Sequence, residues 1–266
     1  MYRYQPFNLN YMKIKHIILP AFIATALFAC SKSSNKTSTP EIPSTVTAIV
    51  PEVYKKIYGA TSITSDGTYI TIKSKGVPDH TSPYYATTNS LYENFSGTTF
   101  AGATFSKNPN SISEKTYTFK IPLNPKVDAS HQATLLGPIG VSLNGVPFFN
   151  QYAGPSQPLT NEIVSFDKYW GHPAPGNMYH YHVEPLFLTT VKASKSALLG
   201  YLLDGFPVYG SEEFGVAVVE SKLDIYHGHT NPTTEYPNGI YHYHVTNKDP
   251  YINGSGYYGT PGTISQ

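Results

Sequence analysis

Tyr-His-Tyr-His occurs twice in this 266-residue chain, as Tyr179-His180-Tyr181-His182 and as Tyr241-His242-Tyr243-His244, each followed by a valine. On an extended strand alternate side chains face opposite ways, so the two imidazoles of a motif share one face and the tyrosines take the other. Imidazoles spaced in this way can close on one metal ion, and His is the commonest neutral nitrogen ligand for zinc and copper. A third histidine precedes each motif, His172 in Asp167-Lys-Tyr-Trp-Gly-His172 and His229 in Asp224-Ile-Tyr-His-Gly-His229. Three imidazoles per copy match the protein ligands of a catalytic zinc that keeps a fourth position open. The candidate metal ligands are therefore His172, His180, His182, His229, His242 and His244. Asp167 and Asp224, five residues before the Gly-His histidines, are placed to orient an imidazole through its second N–H, with Tyr181 and Tyr243 as further polar support around the ions. Two arrangements stay open: each copy closes its own site, or the two His strands pair and pool four imidazoles in one.

The elements that must position these residues are themselves repeated. Gly140-Val-Ser-Leu-Asn-Gly-Val-Pro-Phe-Phe149 stands before the first set and Gly200-Tyr-Leu-Leu-Asp-Gly-Phe-Pro-Val-Tyr209 before the second. The three motifs recur in one order at offsets of 60, 57 and 62 residues (Gly140 to Gly200, His172 to His229, His180 to His242). This order predicts two related halves, 136–190 and 196–250, with an insertion between His229 and His242. Asn144-Gly145 and Asp204-Gly205, each between apolar runs, predict hairpins with two-residue turns. Pro147 and Pro207 direct the following strands to a sheet edge. Pro175-Gly176-Asn177 and Pro237-Asn238-Gly239 predict turns into the His strands, and the Gly-His segments read as loops. Ahead of the repeat, Tyr69 to Lys73, Gly97 to Phe100 and Lys115 to Ile121 alternate like strands and are expected to complete the sheets of the two halves. The fold class is all-β, a sandwich or distorted barrel with an internal pseudo-twofold duplication.

With 13% charged and 14% aromatic residues, 21 Gly and 22 Pro, the composition suits an exported β domain. The formal net charge of +1 comes without a basic cluster beyond the leader, which excludes nucleic acid as a partner. Lys13, Lys15 and His16 precede an apolar stretch, Ile17 to Phe28, too short to span a membrane and sized for a signal peptide. We read 1–29 as that signal, with Met12 as the true start. Leu27-Phe28-Ala29-Cys30 resembles a bacterial lipobox, which makes Cys30 the lipidated residue and 30–45 a flexible tether to a single β domain, 46–266. The expected location is an exported, membrane-anchored lipoprotein, periplasmic or on the cell surface. Cys30 is the only cysteine, so the domain has neither disulfide nor thiolate ligand, and His with carboxylate suits copper or zinc. No nucleophile elbow, phosphate-binding glycine loop or helical His-Glu-x-x-His occurs, and no catalytic residue or activity is assigned.

Gly200 to Gly210, Asp224 to Thr230, Tyr241 to Thr246 and Tyr251 to Gly259, with Gly76 to His80 and Asn144 to Phe149, resemble the YHYH-domain family over roughly residues 60–260. The resemblance implies an exported protein of unsettled activity. Family members carry cysteines where this chain has Tyr226 and Gly256, which implies the loss of one disulfide here. The competing function is a cell-surface binding or adhesion module, meeting a small molecule, glycan or protein, in which the His/Tyr motifs are purely structural.

Overall fold

A computed structural model of the chain describes residues 48–266. The leader, Cys30 and the tether lie outside the described residues. Two sheets with one shared core dominate, the smaller antiparallel and the larger mixed. The smaller runs in the order β1 (Ala60–Ser65), β2 (Tyr69–Ser74), β3 (Tyr117–Pro122), β16 (Thr263–Ser265). Its period-2 patterning sends Ile70 and Ile72 from β2, and Tyr117, Phe119 and Ile121 from β3, into the core. Full burial of each such side chain is worth about 1.5–3 kcal/mol. The same cluster takes Val141, Phe148, Leu199, Tyr201 and Val208 from the larger sheet.

The larger sheet has eight strands: β4 (Pro138–Ser142), β5 (Pro147–Phe149), β8 (Gly171–Ala174), β9 (Met178–Tyr181), β10 (Leu198–Leu202), β11 (Pro207–Tyr209), β14 (Gly228–Asn231) and β15 (Ile240–His244). Their spatial order is β14-β15-β11-β10-β4-β5-β9-β8. Read outward from the central β4–β10 pair, both sides show an antiparallel hairpin, a parallel step to the His strand, then an antiparallel edge strand. At the centre Val141 pairs with Tyr201, its own counterpart at the 60-residue offset. Gly140 and Gly200 permit this approach, since a Cβ on either would fall within 2.4 Å of the facing backbone. Two short ribbons, β6 (Tyr152–Ala153) with β7 (Gln157–Pro158) and β12 (Glu212–Glu213) with β13 (Val216–Ala217), follow the two hairpins. No sheet closes into a barrel among the described residues.

Several sequence expectations change here. Both hairpins have three-residue loops: Gly145 N bonds Ser142 O and Ser142 N bonds Val146 O, and Gly205 and Leu202 repeat this with Leu202 O and Phe206 O. Only the glycines take positive φ, 80° and 83°, which is a type I turn closed by a glycine bulge rather than the two-residue mirror turn. The proline strands are interior. Pro147 and Pro207 are each the first residue of their strand, where a missing N–H costs no ladder bond. The Gly-His segments are the edge strands β8 and β14 rather than loops. Gly97 to Phe100 is not a strand but runs into a 3-10 turn at Phe100–Gly102. The segment before the repeat builds a separate sheet instead of completing the halves, and that sheet abuts both hairpin turns: Ser74 Oγ donates to Gly145 O at 2.7 Å, and Gly262 N to Leu203 O at 2.8 Å.

Candidate metal centres

Each His strand pairs with the edge strand before it in a register that sets His172 opposite His180 and His229 opposite His242. Facing residues of an antiparallel pair share a face, and His182 and His244 lie two residues on along the same face. The edge-strand histidine and the motif histidines are thus gathered by strand pairing. Two separate centres result, one toward each edge of the larger sheet, and the pooled four-histidine arrangement is not formed.

In the first centre His180 Nε2 stands 3.0 Å from His172 Nε2 and 2.8 Å from His182 Nε2. All three residues are buried. The other ring nitrogens are tied down: His180 Nδ1 lies 3.0 Å from Met178 O, His182 Nδ1 2.5 Å from Asn150 O, and His172 Nδ1 2.7 Å from Ser165 Oγ. A carbonyl only accepts, so Nδ1 of His180 and His182 carries the proton and each Nε2 presents a bare lone pair. Ser165 spends its one hydroxyl proton on Glu162 O, at 2.8 Å, so it accepts from His172 Nδ1 and frees that Nε2 as well. Three lone pairs converge with no proton between them. Glu162 Oε2 is 3.5 Å from His172 Nε2 and 3.8 Å from His182 Nε2.

The second centre adds a carboxylate. Glu213 Oε1 is 3.1 Å from Nε2 of both His229 and His242 and 3.9 Å from His244 Nε2, which is 3.2 Å from His229 Nε2. His242 Nδ1 faces Ile240 O at 3.0 Å and His244 Nδ1 faces Gly210 O at 2.6 Å, matching their counterparts in the first centre. Asn231 Nδ2 holds the other oxygen of Glu213 at 3.1 Å.

Burial sets the protonation. It pushes His172 and His180 well below the usual histidine range, reinforced by neighbouring imidazoles, and brings His182 and His244 down to about 4 against the opposing pull of their carbonyl partners. His242 is likewise lowered by burial. Burial raises the Glu162 carboxyl, offset in part by Gly154 N. Burial also pushes Glu213 upward, but His229, Asn231, His244 and His242 outweigh it and the net shift is downward. The ligand sets fit a metal ion: Nε2 atoms bound at about 2.0–2.1 Å around a tetrahedral ion sit roughly 3.3 Å apart, a few tenths of an ångström wider than found here. Both groups, His172/His180/His182 and Glu213/His229/His242/His244, keep their donor atoms within 4.8 Å of one another.

The supporting residues expected from sequence do other work. Asp167 accepts from Tyr179 OH at 2.8 Å, Ser82 Oγ at 2.6 Å and Tyr169 N at 2.9 Å, and touches no ligand imidazole. Asp224 accepts from Tyr241 OH and Tyr226 N, both at 2.9 Å. Each aspartate caps the turn that launches an edge strand, with Trp170 and His227 at positive φ (67° and 71°), and so reaches the tyrosine face of the neighbouring strand. Tyr181 OH meets Asn144 Nδ2 and His80 Nε2, both at 3.1 Å, and Tyr243 OH donates to Asp204 Oδ2 at 2.6 Å. Alternation along the strand explains the correction, because tyrosine and imidazole cannot share a face. His80, buried among Tyr169, Tyr179 and Phe187, serves this tyrosine face, and His227 Nε2 meets Thr246 Oγ1.

Sequence reasoning missed Glu162, Glu213, Ser165 and the carbonyls of Asn150 and Gly210. The carbonyls had a signal, since Asn150 and Gly210 close the repeated hairpin motifs 60 residues apart. Beside them Phe149 stacks on His180 at 3.9 Å and Tyr209 meets His242 edge-on at 5.1 Å, again counterparts.

Fold and site define an all-β protein with two histidine hairpins, each gathering side chains that could hold a metal ion. A family model described as YHYH protein matches residues 118–217 and 211–256, just over half the chain, and the chain belongs to the YHYH family. No curated protein and no solved structure matches it.

Proposed function

We propose that the protein is an exported lipoprotein, anchored through Cys30, that binds a transition metal ion, copper or zinc, at each of two centres: His172/His180/His182, and His229/His242/His244 with Glu213. The observation that carries this is the 2.8 Å separation of His180 Nε2 and His182 Nε2 while both Nδ1 atoms face carbonyls. Two buried acceptors at that distance repel unless a cation lies between them. Imidazole and carboxylate without thiolate suit Zn(II) and Cu(II). The tyrosines of the motif are structural, holding the opposite face of the same strands: Tyr179, Tyr241 and Tyr243 through aspartates, and Tyr181 through Asn144 and His80.

Elemental analysis after loading with Zn(II) or Cu(II) and removing excess ion tests this. We expect two equivalents for the wild type, one each for His180→Ala and His242→Ala, and none for the double variant. Metal-free wild-type protein would sink the reading. Membrane fractionation of the wild type and Cys30→Ser tests the anchor, with release of the variant as the expected outcome.

A further inference from the structure

Five buried side-chain oxygens have no hydrogen-bond partner among the described residues. One, Tyr117 OH, lies in the smaller sheet; the others, Thr134 Oγ1, Gln151 Oε1, Glu184 Oε1 and Asn253 Oδ1, come from segments that meet. These four residues are only 9%, 6%, 3% and 1% exposed. Thr134 N bonds Ser255 O at 3.0 Å, Tyr257 N bonds Gln132 O at 2.9 Å, and Ala133 bridges Gly256 in antiparallel sense. That pairing puts the Thr134 and Ser255 side chains on one face. Gln151 reaches the same place, since its Nε2 donates to Ser255 Oγ at 3.4 Å. Asn253, two residues before Ser255, donates from Nδ2 to Gly256 O at 3.1 Å. The parallel pairing of Phe148 with Tyr181, and the contact of His182 Nδ1 with Asn150 O, carry Gln151 and Glu184 out of the sheet together. Just beyond Glu184, Leu186 N bonds Tyr169 O, and Trp170 leads through Phe100 at 5.1 Å to Tyr251 at 5.7 Å, two residues before Asn253.

Both amides commit their nitrogen to the chain, so what each has left to offer is oxygen. Only the Thr134 hydroxyl carries a proton, too few for the other three oxygens. None of the ion pairs among the described residues includes Glu184. A buried carboxylate beside buried acceptors is costly unless a cation meets them. Carboxylate, amide carbonyl and hydroxyl oxygens select a hard cation over zinc or copper. They come from four separate segments at no regular spacing, which suits the irregular shell of roughly six to eight oxygens around calcium better than the strict octahedron of magnesium. We propose that Glu184, Gln151, Asn253 and Thr134 hold a calcium ion, with Ser255 Oγ and solvent completing its shell, separate from both histidine centres. The ion ties the segment 253–255 to the chain leaving the first His strand. The second half has no counterpart: at the 62- and 60-residue offsets Thr246 and Ser211 stand in place of Glu184 and Gln151, and Thr246 Oγ1 is paired with His227 Nε2 at 3.1 Å.

The full chain, stripped with a chelator, is dialysed against radiolabelled calcium and melted in calcium, magnesium or sodium chloride at matched ionic strength. We expect one calcium per chain with a dissociation constant on the order of 0.1–1 mM, the range of extracellular modules. The melting temperature should stand about 3–6 °C higher in about 10 mM calcium than in magnesium. Glu184→Gln keeps the shape and removes the charge; it should weaken calcium at least about 10-fold and melt no lower than wild type in calcium-free buffer. Gln151→Met, which keeps the length of the side chain without its oxygen, should weaken calcium about 5-fold. Zinc loaded at the histidine centres should leave the one calcium in place. Displacement of calcium by zinc would move it to the histidines and overturn the proposal. So would the absence of bound calcium in about 10 mM calcium, an equal melting gain from magnesium or sodium, or an affinity unchanged in both variants.

Discussion

His182 and His244 each give Nδ1–H to the carbonyl that follows a hairpin strand, Asn150 in one half and Gly210 in the other, yet the carboxylates near them arrive by different routes. Glu213 lies on β12, in the ribbon directly after β11. The 60-residue offset puts Ala153, a buried residue of β6, at its place in the first half. Glu162 comes instead from beyond the ribbon, after the 3-10 turn Leu159–Asn161. The shared parts are those that aim imidazoles: strand register, carbonyl partners and the capped turn. The unshared part is the one that sets where a carboxylate stands against the three imidazoles. One scaffold therefore carries two histidine clusters whose carboxylates come from different places in the chain.

The largest effect should be common to both halves. His182 and His244 titrate at about 4 in the folded chain against about 6.5 when unfolded. Below 6.5 the unfolded chain binds protons that the folded chain does not, so stability is full above that pH and falls as the pH drops toward 4. Each histidine contributes on the order of 3 kcal/mol to that loss. Denaturant unfolding of metal-free protein at pH 7, 5.5 and 4.5 should show the decline, and His182→Gln and His244→Gln should each flatten it by a similar amount. A wild-type profile without slope in this window would refute the buried neutral state of both.

The aspartates separate the halves. Asp167 is fully buried and satisfies Ser82, Tyr179 and the Tyr169 amide, whereas Asp224 is exposed. Asp167→Ala leaves buried donors without partners and should cost about 3 kcal/mol; Asp224→Ala, whose donors can turn to water, should cost about 1 kcal/mol. Equal midpoint shifts in urea would show that the tyrosine faces are supported alike.

The histidine set was legible because three motifs recur in one order, and the all-β class because turn formers and β-branched or aromatic residues dominate. Strand pairing was not legible: nothing local to Gly171-His172 says that it pairs as an edge strand with Tyr179 to Tyr181, so it read as a loop. The carboxylates were hidden for a further reason. Glu162 precedes His172 by ten residues and Glu213 precedes His229 by sixteen, so neither spacing repeats. The aspartates misled because their spacing from the histidines repeats while their side chains serve the opposite face. Repetition in sequence marks shared scaffold, and the residues that differentiate the two centres are those that escape it.

The carboxylates give the next test. Glu213→Gln replaces a charged donor at 3.1 Å from two imidazole nitrogens and should weaken zinc at the second centre by roughly 100-fold. Glu162→Gln, farther from the nitrogens, should change the first centre by no more than about 3-fold. Competition against a chelator, in variants that keep a single centre, measures both. A comparable loss in the two would mean that Glu162 closes onto the ion, and the centres would then be alike in charge.

The smallest effect concerns the edge-strand histidines. His172 Nδ1 is held by Ser165, itself fixed by its hydroxyl bond to Glu162 O, while His229 Nδ1 has no such partner among the described residues. A ligand imidazole with its second nitrogen engaged is fixed in tautomer and ring orientation before the ion arrives. Ser165→Ala removes that restraint and lets the His172 proton move to Nε2, where it blocks the lone pair. Zinc affinity of the first centre should fall about 10-fold, at the low end for loss of a ligand's supporting hydrogen bond. Ser165→Thr keeps the hydroxyl and should restore affinity to the extent that the added methyl fits beside Phe166. An unchanged affinity in Ser165→Ala would mean that strand pairing alone orients His172, as it must already do for His229.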